Sequence, residues 1–151
     1  MADETGINET IRKFGYPSSL VARYRHWFVL LRRQQVTLGA LVLACRSDAT
    51  SFAGLPAGAH AELAEATCDI EMTLKRCFAY DKINYLMLMM VDPQVHFPVL
   101  PRYATPRDFD GQRFEDRGWP SAPDLAQAPE VAPGRFARLC GHLRNAWPAA
   151  R

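Results

Sequence analysis

The stretch from Tyr85 to Tyr103 limits the possible folds more than any other part of the chain. From Leu86 to Val91 every residue is apolar. That is the pattern of a strand buried on both faces, and so of one in the middle of a sheet. Asp92-Pro93 then reads as a tight turn into a neighbouring strand. This second run alternates. Val95, Phe97 and Val99 fall on one face, while Gln94, His96, Pro98, Leu100 and Arg102 fall on the other. Met87, Met89 and Met90 are expected to fill the core. A histidine on the polar-leaning face of a core strand, with an arginine further along, is a candidate reactive group.

The flanking sequence supplies the other layers. Thr5 to Phe14 can form a short helix, an N-terminal extension over 1–15 stopped by Gly15 and Pro17. Ser19 to Leu31 reads as one strand, and Val36 to Cys45 as a second, antiparallel to it across the polar break Arg32-Arg33-Gln34-Gln35. Gly39 inside that second strand implies a bulge or the close approach of a ligand. Gly58 to Phe78 predicts the longest helix, with Leu63, Ala66, Ile70, Leu74 and Cys77 on one stripe and Glu71 paired with Lys75 outside. Residues 104–133 read as an irregular tail anchored by Phe109, Phe114 and Trp119. A terminal helix over 134–147 buries Phe136, Leu139, Cys140 and Leu143, and turns Arg135, Arg138 and Arg144 to solvent. Adjacent strands with short turns, backed by helices, give an α+β class: an antiparallel sheet of about five strands with one long helix on it.

At 151 residues the chain forms one domain with a sizeable core. A formal charge of +2 argues against a nucleic-acid scaffold. No apolar run approaches the roughly 20 residues of a membrane helix, and the acidic start is unlike a signal peptide. Cys45, Cys68, Cys77 and Cys140 are scattered, as in a reduced cytoplasmic protein, and form no zinc or disulfide pattern. His26, His60 and His142 have no second ligand at metal spacing. No metal or cofactor is expected.

The run Gln94-Val95-His96-Phe97-Pro98-Val99-Leu100 resembles the signature of the histidine-triad superfamily, in which three histidines alternate with apolar residues. The likeness extends to a hairpin over Ser19–Arg46, with Gly39 at the nucleotide-facing glycine, and to Phe109 and Gly118-Trp119-Pro120 in the tail. It covers roughly Tyr16 to Pro120. The resemblance implies a homodimer that binds a nucleotide and cleaves or transfers at the α-phosphate, with the middle histidine attacking phosphorus. That position is His96, and a neutral imidazole nitrogen suits the role. The carbonyl of Gln94 would hold the other ring nitrogen, and Gln34, Thr37 and Gly39 would line the nucleotide pocket.

Two motif positions depart from the pattern. Gln94 replaces the first histidine and can hydrogen-bond but not carry a proton. Pro98 replaces the third, beside the scissile phosphate, and has neither a side-chain donor nor an N–H. The ribose-handling acidic segment of the family aligns with Arg32-Arg33-Gln34. Arg32, Arg33 and Arg102 are forked cations suited to phosphate. Three readings stay open: a hydrolase or transferase working through His96, a nucleotide- or phosphate-binding module without turnover, or a scaffold repurposed for other, for example biosynthetic, chemistry.

Overall fold

The computed structural model describes residues 4–149. In chain order the elements are α1 (Glu9–Lys13), β1 (Leu20–Arg23), β2 (Trp27–Leu31), β3 (Leu41–Cys45), α2 (Ala57–Phe78), β4 (Lys82–Tyr85), β5 (His96–Arg102), β6 (Arg107–Phe109), β7 (Gln112–Phe114) and α3 (Pro133–Ala146). β1 to β5 form one antiparallel sheet in the order β1-β2-β3-β5-β4, and β6 pairs with β7 in a separate hairpin. The expected α+β architecture is therefore present, with its sheet of five strands, long helix and terminal helix. Among the described residues no helix is long and apolar enough to cross a membrane.

Period-2 alternation divides the sheet into two faces. On one face Trp27, Val29, Leu31, Leu41, Leu43, Val95 and Val99 pack with Ala66, Ile70 and Leu74 of α2 and Leu139 and Leu143 of α3. The Trp27 indole also donates to the Ala59 carbonyl at 2.8 Å, which pins the start of α2 to β2. On the other face Phe28, Leu30, Val42 and Ala44 are covered by Ile7, Ile11, Phe14 and Tyr16. Ile7, Ile11 and Phe14 sit at steps of four and three, so the N-terminal segment presents one apolar stripe to the sheet. Asn8 caps α1 by accepting from the Ile11 N–H, and its amide donates to the carbonyls of Cys45 at 2.9 Å and Ser47 at 3.0 Å. That clamps α1 to the end of β3.

Several sequence expectations are corrected. Leu86 to Val91 is not a central strand. β4 ends at Tyr85 and is an edge strand, and the residues that follow form a loop in which Leu88, Met90 and Val91 are 53%, 86% and 79% exposed. Of the three methionines Met87 and Met90 are exposed, and only Met89, half-buried, packs against the core. The Asp92-Pro93 segment belongs to this longer connection and makes no tight hairpin. Ser19–Leu31 is two strands, β1 and β2, folded back on each other through Tyr24-Arg25-His26. Val36 to Ala40 is a loop before β3, so Gly39 is not in a strand. Gly39 has φ +86, and a Cβ there would lie 2.9 Å from the Phe78 ring, so the close approach is to α2. Glu71 accepts from the Tyr85 hydroxyl at 2.8 Å, and Lys75 donates to the Tyr80 carbonyl, in place of the expected pair. The tail over 104–133 includes the β6–β7 hairpin, with Phe114 buried.

Candidate functional site

The site is built on the face of β5 that turns away from α2. Across the sheet Phe28, Ala44 and His96 are in register, as are Leu30, Val42 and Pro98. His96 is 5% exposed. Its Nδ1 lies 2.9 Å from the Gln94 carbonyl oxygen. A carbonyl can only accept, so this nitrogen carries the proton, and in the neutral ring the lone pair is on Nε2. Among the described residues Nε2 has no hydrogen-bond partner. The ring is fixed in one orientation, with its nucleophilic nitrogen uncommitted.

The N-terminal segment closes over this histidine. The Phe14 ring lies 5.4 Å from the imidazole centroid at a 46° tilt. Thr10, which is buried, donates its hydroxyl to Gln94 Oε1 at 2.6 Å. Lys13 pairs with Asp92 at 2.6 Å. Gln94 is thus held by its side chain while its carbonyl holds His96. Thr10, Lys13 and Phe14 went unnoticed in the sequence because their partners lie about 80 residues away. The one local sign was the apolar stripe of Ile7, Ile11 and Phe14.

Further along β5 the surroundings become apolar. Pro98 is buried, and its carbonyl accepts from the Leu86 N–H at 2.9 Å. Leu100 packs with Val36, Ala40, Leu86 and Leu125. The third motif position therefore offers neither a proton nor a hydrogen-bond donor.

The β2–β3 loop borders the same face. Gln35 is fully buried and braces it, donating to the carbonyls of Arg32 at 2.6 Å and Ala40 at 2.8 Å and accepting from the Gly39 N–H at 2.8 Å. Sequence reasoning missed this residue, since a glutamine in a polar run looks like surface. Thr37 is also buried, and among the described residues its hydroxyl has no hydrogen-bond partner. Arg32 is half-buried and donates to the Gln34 carbonyl at 3.0 Å, and burial lowers its pKa. Arg32, Arg33 and Gln34, with Lys13 and Phe14, line a cavity of about 170 Å³. Phe14 is the shared wall between this cavity and His96.

Arg102 does not join them. It lies six residues from His96 on β5, roughly 20 Å along an extended strand. Its guanidinium donates to both oxygens of Asp116, at 2.7 and 3.0 Å, to Asn84 Oδ1 at 2.8 Å and to the Ser121 carbonyl at 2.8 Å. Its forked donors are committed to an internal network, which corrects the expectation that it contacts a substrate phosphate. Among the described residues no three His, Cys, Asp or Glu side chains gather as a metal-binding group.

No protein-family model and no curated protein matches the sequence. Solved structures do match the fold. A histidine triad protein from Bradyrhizobium japonicum superposes with a TM-score of 0.70 at 18% identity, over 93% of this chain and 96% of that one. One from Sinorhizobium meliloti gives 0.71 at 18% identity, over 92% and 94%. A hypothetical histidine triad nucleotide-binding protein from Sulfolobus tokodaii gives 0.63 at 14% identity, over 85% and 82%. The chain has the histidine-triad fold. Within that fold His96 and Pro98 occupy alternate positions on β5, Gln94 lies two residues before His96 in the preceding loop, and the ring-to-carbonyl contact expected of the middle histidine is present. The N-terminal segment lies across the histidine-triad strand, so it is a wall of the candidate site as well as an extension.

Proposed function

We propose that the protein binds a nucleotide or nucleoside phosphate and acts at its α-phosphate through a nucleotidyl intermediate on His96. The Nε2 lone pair attacks phosphorus, and the bond to the leaving group breaks with its electron pair going to that group. Water then attacks the same phosphorus, the P–Nε2 bond breaks, and a nucleoside monophosphate departs as one water proton passes to solvent. In a transferase another acceptor replaces that water. The observation that carries this reading is the clamped imidazole, with Nδ1–H spent on the Gln94 carbonyl and Nε2 uncommitted. Gln94 is the positioning residue, while Gln34, Thr37, Gly39 and Arg32 belong to the nucleotide side of the site. Pro98 gives the leaving group no proton, which favours phosphoanhydrides over phosphoramidates. The protein acts in the cytoplasm, and as a homodimer; the exposed apolar loop beside edge strand β4 supports the homodimer.

Turnover of adenosine and guanosine dinucleoside polyphosphates and phosphoramidates, wild type beside His96→Ala, tests this reading. Hydrolysis by wild type that falls at least about 10³-fold in the variant is expected. Equal rates in the two proteins would remove His96 from the chemistry.

A second reading is favoured by buried Pro98, by the apolar cluster of Leu100, Leu86 and Leu125 beyond it, and by the 5% exposure of His96. Here the scaffold binds a nucleotide without turnover. Removing a donor from a comparable oxyanion site costs about 10²–10³ in rate. Tight binding with no product across the whole panel would select this reading.

A further inference from the structure

The cavity lined by Lys13, Phe14, Arg32, Arg33 and Gln34 brings three cationic side chains to one concave surface of about 170 Å³. Two of the three are already engaged. Lys13 is neutralised by Asp92, and Arg33 donates to Ser18 Oγ at 3.1 Å and lies over the Phe136 ring at 5.0 Å. Arg32 is different. It is half-buried, and among the described residues the one hydrogen bond of its side chain is to the Gln34 carbonyl. Among the described residues no carboxylate pairs with it. A partly buried guanidinium without a counter-ion is costly unless an anion completes it. Its remaining donors have the fork geometry that matches a phosphate.

We infer that this cavity is an oxyanion subsite that takes a second phosphate of the ligand, separate from the one that meets His96. Phe14 borders both the cavity and the imidazole, so the two points are neighbours separated by a single ring. The ligand class is then a nucleotide with more than one phosphoryl group, either a 5′-polyphosphate or a nucleotide phosphorylated on its sugar. This assignment rests on charge and burial, and it extends the proposed function without requiring that His96 turn anything over.

Calorimetric titration separates the possibilities. The ligands are adenosine 5′-monophosphate, adenosine 5′-triphosphate, adenosine 3′,5′-bisphosphate and inorganic tripolyphosphate. Each is titrated into wild type, Arg32→Gln and Arg32→Lys, with thermal melts showing that the variants are folded. At least one ligand with a second phosphate should bind about tenfold or more tightly than the monophosphate. Arg32→Gln should weaken the multiply phosphorylated ligands more than the monophosphate and so erase that advantage, and Arg32→Lys should restore part of it. An advantage confined to the triphosphate points to a polyphosphate chain, and one confined to the bisphosphate points to a sugar phosphate. Tripolyphosphate binding that depends on Arg32, with no nucleotide bound, would uphold the subsite while contradicting the proposed function. Equal affinity for mono- and multiply phosphorylated ligands, an advantage that survives Arg32→Gln, or no binding by any of the four overturns the inference.

Discussion

Substituting Asp116→Ala tests the structural role that Arg102 has in place of a substrate contact. Asp116 accepts from Arg102 Nε at 2.7 Å, Arg102 Nη2 at 3.0 Å, the Tyr103 N–H at 3.1 Å and the Gly118 N–H at 3.2 Å. The Arg102 side chain is 4% exposed and that of Asp116 is 1% exposed. Alanine therefore leaves a buried guanidinium without its charge partner. Breaking such a pair costs about 3–5 kcal/mol, against roughly 0–1 kcal/mol for an exposed pair. For a chain of this size that corresponds to a loss of roughly 6–20 °C in melting temperature. Urea unfolding with tryptophan fluorescence gives the free energy directly. The double variant Asp116→Leu with Arg102→Met removes both charges and should be less destabilised than Asp116→Ala alone. A cost below about 1 kcal/mol would refute the buried-pair argument. So would an Arg102→Met protein that keeps its stability and loses nucleotide binding.

Three further outcomes follow from the same structure. Thr10→Val removes the hydroxyl bonded to Gln94 Oε1 and should cost about 1 kcal/mol in urea unfolding, with Thr10→Ser restoring most of it. Gly39→Ala places a Cβ 2.9 Å from the Phe78 ring at φ +86, so a loss of at least about 1–2 kcal/mol is expected and an unchanged midpoint would contradict the packing. Asp110 is held below its ordinary carboxylate pKa of 3.8, first by the hydrogen bond from Arg138. A depressed folded pKa means that its contribution is present above the ordinary value and is lost as pH falls through the folded one. Stability measured from about pH 5 down to about pH 2 should therefore fall less steeply in Asp110→Asn than in wild type.

How much could be read from the sequence depended on whether the relevant contacts were local. β5 was legible because strict alternation from Val95 to Val99 encodes its two faces. The long helix begins one residue earlier than its apolar stripe suggests, at Ala57, and both readings end at Phe78. The terminal helix is displaced by one residue at each end. Leu86 to Val91 misled because an unbroken apolar run is the same whether it is buried in a sheet or exposed beside an edge strand. Tyr24 and Trp27 hid the turn between β1 and β2, since aromatic residues on both sides make one continuous strand-like run. Within the candidate site, the clamp on His96 spans two residues and was expected from the family resemblance of the motif. The bond from Thr10 to Gln94 spans 84 residues, and no local pattern marks it. Arg102 showed its charge in the sequence but not its partner Asp116, which the fold brings back from the tail.

The central claim is that His96 forms a covalent bond to phosphorus. Wild type and His96→Ala should be mixed with a turned-over dinucleoside polyphosphate, quenched at times within one turnover, and analysed as intact protein and then as peptides. The account predicts a mass increase of one nucleotidyl group on the peptide carrying His96, rising and then decaying as product appears, and absent from the variant. Product formed with no adduct at any time, or an adduct on another residue, would contradict it.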